Sequence, residues 1–201
     1  MIDVFADIGC PFTHLGLVRF VTRRAELGRD DVDLRVRAWP LELVNGAPLD
    51  PDFIAEEVDD LREQVAPDQF RGFDRDAFPS TSLPALALAS AAYALDDRTG
   101  ERVSLALRDL VFEQGVDVTD ETVLRQVADD HGVPADSIDP QRVIDEHRDG
   151  VRRGVIGSPH FFTPAGDFFC PALDIHRDED GHLHIQPRVE SFEAFLAGCF
   201  A

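Results

Sequence analysis

Apolar residues at every second position open the chain and predict a β-strand over residues 2–6. The alternation breaks at residues 9–11, where Pro11 suits the first position of a helix. That helix has a wide apolar face, and Gly28 is placed to end it with a left-handed cap. Residues 32–38 alternate again and predict an edge strand with one solvated face. The β-α-β order favours two parallel strands joined by a right-handed crossover.

The middle of the chain has helical periodicity and hardly any strand signal. Asp50 and Asp139 each precede a proline, which is a common start of a helix, and Gly115 and Gly132 mark helix ends. Between these signals the apolar residues recur at intervals of three or four positions. About five helices are therefore expected in a stretch bounded by proline-rich turns.

The last fifty residues return to strands. Paired phenylalanines flank the turn at residues 163–167 and predict a hairpin, and a second, exposed hairpin is expected around residues 177–181. A short helix near residues 192–196 closes the chain. The order β-α-β, helices, β-β-α predicts an α/β protein with a thioredoxin-like fold and an all-helical insertion. The expected domains are residues 1–45 with 154–201, and an inserted helical domain at 46–153.

Charge narrows the range of partners. The formal net charge is -20, and all 19 basic residues are arginine. A nucleic-acid backbone or an anionic membrane is met by clustered basic side chains, so neither is expected as a partner. The chain opens on a strand pattern rather than a secretory signal, and no apolar run approaches the roughly twenty residues of a membrane span. A cytoplasmic location is the expectation.

Cysteine usage points to one reactive position. Cys10, Cys170 and Cys199 are an odd number with no Cys-x-x-Cys pair, which weighs against a disulfide-stapled secreted fold. Cys10 stands where a strand gives way to a helix, and backbone N–H groups at a helix start stabilise a thiolate. We therefore expect Cys10 to be a nucleophile with a lowered pKa. The alternative is a small buried apolar residue, which describes most free cysteines.

Four segments carry a resemblance to a known family. Residues 7–16 read DIGCPFTHLG and residues 154–162 read GVIGSPHFF. Residues 39–43 read WPLEL, and residues 110–124 read LVFEQGVDVTDETVL. In this order they resemble the active-site segment, the cis-proline segment, the segment after the second strand and the helical insertion of the DsbA superfamily, especially its FrnE-like branch. The four segments are distributed from residue 7 to residue 162, so the resemblance extends over most of the chain.

The resemblance implies roles for the residues around Cys10. Pro159 would be a cis-proline that faces Cys10, leaving the backbone of Ser158 free to pair with an extended substrate. Substrate contacts are also expected at Pro11, Phe12, His14 and His160. His14 lies one helical turn from Cys10, where a protonated imidazole would lower the thiol pKa. A merely solvated or capped imidazole is the alternative for both histidines.

Thr13 is the departure from the family pattern. The family has its second cysteine at this position, and that cysteine resolves a mixed disulfide. Thr13 has no thiol, although its hydroxyl can donate a hydrogen bond to a Cys10 thiolate. The resemblance with this substitution implies a monothiol thiol-disulfide oxidoreductase that needs an external thiol. Cys170 or Cys199 could resolve instead, but neither has a sequence reason to lie near Cys10.

Two other functions stay open. Kappa-class glutathione transferases and 2-hydroxychromene-2-carboxylate isomerases resemble the same layout but have serine in place of Cys10, so a thiol-dependent transferase or isomerase is one alternative. A redox-inactive binding protein with the same fold is the other. We expect a thiol, disulfide or small-molecule substrate, a low-molecular-weight thiol as co-substrate and no tightly bound cofactor. The resemblance also allows a homodimer.

No metal site is expected. His176, His182 and His184 lie close together in the sequence, but the residues between the first two are typical of a turn and nothing completes a ligand set.

Overall fold

The computed structural model describes residues 1–200 of the 201-residue chain. The elements follow in the order β1 (Ile2–Ala6), α1 (Pro11–Glu26), β2 (Leu34–Ala38), α2 (Leu41–Asn45), α3 (Pro51–Gln64), α4 (Leu83–Leu95), α5 (Asp97–Gln114), α6 (Glu121–His131), α7 (Pro140–Arg153), β3 (His160–Thr163), β4 (Gly166–Phe169), β5 (Leu173–Arg177), β6 (Leu183–Pro187) and α8 (Val189–Cys199). Two short 3-10 turns, Arg75–Ala77 and Ala135–Ser137, interrupt the helical part. Among residues 1–200, no helix is both long and apolar enough to cross a membrane.

The main sheet has four strands in the order β2-β1-β3-β4. β1 and β2 are parallel, with Val4 opposite Val36, whereas β3 is antiparallel to β1 and to β4. β5 and β6 form a separate antiparallel pair. The predicted thioredoxin-like fold with a helical insertion is therefore confirmed. The predicted edge position of β2 and both C-terminal hairpins are confirmed as well.

Aspartate caps explain where several helices begin. Asp50, Asp120 and Asp139 each accept a hydrogen bond from the backbone N–H two residues later, which satisfies one of the unpaired donors of the first turn. Gly115 and Gly132 adopt left-handed conformations directly after α5 and α6, as predicted. Some of the acidic residues that make up the large negative charge thus act as helix caps.

The core has two main parts. One lies between the sheet, α1 and α8, where Phe20, Phe161 and Phe195 pack together. The other joins the helical insertion to the turn after β1, because Ile8 and Leu15 pack in one cluster with side chains of α3, α4 and α5. α5 and α7 also pack directly on β2. The insertion therefore reaches the segment that carries Cys10.

The Gln64 side chain of α3 forms two hydrogen bonds to the backbone of the β5–β6 hairpin. The Gln64 amide donates to the Leu183 carbonyl at 2.9 Å and accepts from the Ile185 N–H at 2.8 Å. These two bonds satisfy one edge of β6 in the manner of a neighbouring strand. The hairpin and α3 therefore pack against each other.

Candidate active site

Cys10 occupies the N-cap of α1. Its backbone is extended, with φ -89° and ψ 113°, and its carbonyl accepts the first helical hydrogen bond from the His14 N–H at 3.1 Å. Pro11 follows as the first helical residue, where its missing N–H costs nothing. The Cys10 side chain is only 4% exposed. Cys10 therefore stands at the helix start, as predicted, but beneath the surface.

Ser158 joins the start of α1 to the turn before β3. The Cys10 Sγ atom donates to the Ser158 carbonyl at 3.3 Å, and the Thr13 and Ser158 hydroxyl oxygens are 2.7 Å apart. The Asp7 N–H donates to the same Ser158 hydroxyl at 3.0 Å. The Ser158–Pro159 peptide bond is cis. The structure thus brings Cys10, Thr13, Ser158 and Pro159 into one cluster.

The expected lowering of the Cys10 pKa is wrong in this structure. Burial raises the pKa of the Cys10 thiol, since a buried thiolate loses its hydration. Hydrogen bonds from the Thr13 side chain, from Ser158 and from the Thr13 N–H lower this pKa only in part. Desolvation therefore outweighs the effect of these polar groups, Thr13 among them. At rest the thiol is protonated and donates its hydrogen to the Ser158 carbonyl.

A buried ionic cluster supports the turn that carries Cys10. The Asp7 carboxylate accepts from the backbone N–H of Gly9 at 2.7 Å and of Leu41 at 2.6 Å, and from the Ser82 hydroxyl at 3.1 Å. Arg108 of α5 is completely buried and donates to the Asp7 carbonyl at 3.1 Å. Burial raises the pKa of Asp7 and lowers that of Arg108 to about 10. Asp7 therefore ties the end of β1 to α2, α4 and α5.

The contacts of the His14 ring are with residues other than Cys10. Its ring is 1% exposed, and its Nε2 atom lies 2.9 Å from a Glu113 carboxylate oxygen. The rings of Phe70 and Phe112 pack against it at 5.3 and 5.2 Å. The structure does not bring His14 to Cys10, because the side chain fills the contact between α1 and α5.

His160 is also held by other partners. Its Nδ1 atom accepts from the Ile156 N–H at 3.2 Å, and its Nε2 atom lies 3.1 Å from the Asp167 carboxylate. The ring stacks on Phe162 with centroids 4.8 Å apart. These contacts fix the ring against the β3–β4 hairpin, and none of them involves Cys10.

Phe12 and Pro11 lie beside the cluster. Pro11 is buried, whereas Phe12 is half-buried and lines a small enclosed space together with Gly16, Pro159 and Cys170. Phe12 and Ser158 are therefore the residues of the predicted substrate-binding set that combine proximity to Pro159 with partial exposure.

Cys170 lies next to Pro159, a proximity that no pattern in the sequence predicts. Its N–H donates to the Pro159 carbonyl at 3.0 Å, and its φ of 42° is left-handed. Burial and the nearby Cys10 raise its pKa to about 12, so its thiol is a poor nucleophile. Cys199 lies in the core cluster of Phe20 and Phe195, where burial raises its pKa to about 12. All three cysteines are free.

The C-terminal histidines form no metal centre in the structure. The rings of His176 and His184 stack across β5 and β6 with centroids 5.2 Å apart, and His184 pairs with Asp178 at 2.9 Å. Within residues 1–200, no group of three His, Cys, Asp or Glu side chains is arranged to hold a metal ion.

Three buried charged residues were missed in the sequence. In the sequence, Asp7 and Arg108 look like ordinary surface charges. Asp7 comes directly after a predicted strand, and Arg108 lies within a stretch of helical periodicity. Glu57 stands next to Glu56 on α3, and a helical wheel that placed Ile54, Val58 and Leu61 on the inner face would also have turned Glu57 partly inward. Only the tertiary structure shows that each of them is buried.

Comparison with known proteins agrees with this fold. The family model of the DSBA-like thioredoxin domain matches residues 1–179. The cytosolic disulfide reductase DsbM from Pseudomonas aeruginosa aligns with a TM-score of 0.60 at 16% identity, covering 98% of this chain and 96% of that one. A 2-hydroxychromene-2-carboxylate isomerase aligns with a TM-score of 0.58 at 12% identity, covering 84% and 87%. A search of curated proteins finds no match. The chain belongs to the DSBA-like thioredoxin domain family.

Proposed function

We propose that this protein is a monothiol thiol-disulfide oxidoreductase in which Cys10 is the nucleophile and a low-molecular-weight thiol resolves the intermediate. The supporting observation is the contact between the Cys10 Sγ atom and the Ser158 carbonyl at 3.3 Å, at the start of α1 and beside Pro159. A disulfide substrate seated there would meet the thiol at a helix N-terminus, where developing negative charge is stabilised. Thr13 stands where a resolving thiol would otherwise lie.

The chemistry has two exchange steps. The Cys10 thiol loses its proton and attacks one sulfur of a disulfide, so that a mixed disulfide forms and the other sulfur leaves as a thiol after protonation. A second, external thiol then attacks the substrate sulfur of the mixed disulfide. This step regenerates the Cys10 thiol and releases a new disulfide, so that sulfur oxidation states balance across the cycle.

Glutathione is the external thiol that the comparisons favour. One of the similar solved structures is DsbM with GSH, with a TM-score of 0.59 and 16% identity over 98% of this chain. That protein is a cytosolic disulfide reductase, which supports a reductive role in the cytoplasm for this chain as well. A small thiol can enter where a second protein thiol cannot, since Cys10 is 4% exposed.

A thiol-dependent isomerase or transferase is the second candidate. The similarity to 2-hydroxychromene-2-carboxylate isomerase and the raised pKa of Cys10 favour it, because a protonated Cys10 could hydrogen-bond the sulfur of a bound thiol instead of reacting. In that function Cys10 would be replaceable by serine.

Trapping of a mixed disulfide separates the two candidates. The reduced protein is mixed with oxidised glutathione, quenched with acid and digested, and the Cys10 peptide is weighed by mass spectrometry. Glutathione attached at Cys10 and released by added reduced glutathione supports the oxidoreductase. Absence of the adduct, together with glutathione binding that survives Cys10→Ser, supports the isomerase or transferase.

A further inference from the structure

A second cavity lies between α1, the turn after α3 and α8, and none of Cys10, Thr13, Ser158 and Pro159 lines it. Its volume is about 400 Å³, which is in the range of small-molecule sites. The side chains around it include Leu15, Val18, Arg19, Val65 and Phe192. All of these except Arg19 are apolar, so the cavity combines apolar walls with a guanidinium group.

Arg19 has no acidic partner among residues 1–200. Its Nη2 atom donates to the Val65 carbonyl at 3.1 Å, and no carboxylate oxygen of these residues lies within 4.0 Å of the guanidinium. Burial lowers the pKa of Arg19, and the charge that opposes this effect is that of the Cys170 thiolate, not of a carboxylate. Arginine stays protonated in proteins, so Arg19 brings an uncompensated positive charge to the cavity.

The other arginines show how unusual this is in the chain. Most of them lie within ion-pair distance of a carboxylate. Those that do not are exposed to solvent, apart from Arg108, whose charge is balanced by Asp7, and Arg19. A partly buried cation without a counter-ion is unfavourable, so an anion that enters the cavity would be held by Arg19.

The charges around the cavity select the kind of anion. Arg23 also lines it, but this side chain is paired with Glu26 at 3.0 Å. Glu26 and Asp68 are lining residues as well, and the whole chain has a formal net charge of -20. One free positive charge in negative surroundings favours a monoanion over a phosphate dianion. A carboxylate fits the planar guanidinium, and the apolar walls favour an apolar body.

We propose that this cavity binds a small monocarboxylate whose carboxylate pairs with Arg19 and whose apolar body packs against Val18, Val65 and Phe192. The site goes beyond the exchange chemistry at Cys10 and does not depend on it. Phe192 also lines the small space beside Phe12 and Pro159, and it is the one side chain that the two cavities share. The bound carboxylate therefore lies next to the thiol site but outside it.

A charged probe and its neutral analogue test the role of Arg19. The probe is a fluorinated naphthoate, the analogue is the corresponding naphthamide, and fluorine NMR titrations give the dissociation constants. The proteins are the wild type, Arg19→Gln, Cys10→Ser and the matched control Arg98→Gln. Arg98 lies outside the cavity and donates to the Asp30 carbonyl at 3.2 Å, much as Arg19 donates to that of Val65.

The preference for the charged probe carries the answer. The wild type is expected to bind the naphthoate about tenfold more tightly than the naphthamide, as for one charge-assisted hydrogen bond. This preference should persist in Arg98→Gln and Cys10→Ser and disappear in Arg19→Gln. Equal affinities in the wild type, a preference that survives Arg19→Gln, or no saturable binding of naphthoate overturns the proposal. Persistence in Cys10→Ser makes the result independent of the mixed-disulfide experiment.

A cavity-filling variant leaves Arg19 in place. Thr22 is an exposed residue that lines the cavity, so Thr22→Trp should fill it and abolish the binding of both ligands without loss of thermal stability. Undiminished naphthoate binding by folded Thr22→Trp contradicts the proposal even if Arg19→Gln fails to fold. Inorganic phosphate at the same concentration as the naphthoate should leave the bound fraction unchanged. Displacement of the naphthoate by phosphate would overturn the assignment to a monocarboxylate with an apolar body.

Discussion

The hydroxyl oxygens of Thr13 and Ser158 lie 2.7 Å apart and connect the first turn of α1 to the peptide unit that accepts a hydrogen bond from Cys10. Because the Asp7 N–H donates to the same Ser158 hydroxyl, that oxygen is held from two sides. The position that a second cysteine takes in the family pattern is thus used here to fix the geometry around the remaining thiol.

Removal of the Thr13 hydroxyl should make Cys10 less reactive. Thr13→Val keeps the shape of the side chain but leaves the Ser158 hydroxyl short of a partner and removes a hydrogen bond that lowers the Cys10 pKa. We expect slower iodoacetamide labelling at pH 7.5 and a loss of about 1–3 kcal/mol in the free energy of unfolding. The exposed Thr22→Val on the same helix is the control. Unchanged labelling in Thr13→Val would show that the hydroxyl does not act on the thiol.

Conversion of Thr13 to cysteine should create a dithiol centre. Thr13→Cys places a second thiol one helical turn from Cys10 and beside Ser158, where an internal attack on a mixed disulfide becomes available. We expect disulfide reduction to lose its dependence on the external thiol as resolving agent, and oxidised protein to have two fewer titratable thiols than reduced protein. Thiol titration with Ellman's reagent measures the difference. Equal thiol counts in both forms would mean that the site cannot hold an internal disulfide.

Asp7 and Arg108 should be coupled in stability. Asp7→Ala removes three hydrogen bonds and deprives the completely buried Arg108 of the negative charge that most favours its ionised form. Loss of one partner of a buried pair costs about 3–5 kcal/mol. The double variant Asp7→Ala/Arg108→Met should therefore be more stable than Asp7→Ala alone. Urea unfolding of both single variants and the double variant completes the cycle, and strictly additive losses would refute the coupling.

The acid sensitivity of the fold should depend on Glu113. Burial opposes its ionisation, but hydrogen bonds from His14 and from the Phe70 and Arg71 N–H groups lower its pKa overall. A folded-state pKa below the unfolded value of 4.5 stabilises the fold above that pH, and the stabilisation is lost as the pH falls through the folded-state value. Glu113→Gln should be less stable at pH 7, with a smaller loss of stability between pH 5 and 3. Parallel unfolding curves of the two proteins over that range would contradict this assignment.

The sequence predicted the fold through local signals. Alternation predicted β1 and β2, aspartate and glycine caps bounded the middle helices, and Pro11 marked the start of α1. These features depend on residues within a few positions of one another, which a pattern in the sequence captures. The inserted domain at residues 46–153 stays a prediction, and α5 and α7 within it pack on the sheet.

The site was less predictable because burial is a property of the whole fold. Cys10 and Ser158 could be named from two segments, but the raised Cys10 pKa comes from burial, which only the tertiary structure determines. His14 was assigned to the site by its spacing from Cys10, whereas in the structure its ring is hydrogen-bonded to Glu113 of α5. Cys170 has no local signal that places it beside Pro159.

The dependence of disulfide reduction on an external thiol tests the central proposal most directly. Turnover of a glutathionylated peptide is followed at increasing concentrations of reduced glutathione for the wild-type protein and for Cys10→Ser. We expect turnover that rises with glutathione in the wild type, a Cys10-linked mixed disulfide that accumulates when glutathione is withheld, and no catalysis by Cys10→Ser. Equal turnover by Cys10→Ser, or no mixed disulfide at Cys10 in the wild type, would contradict the monothiol mechanism.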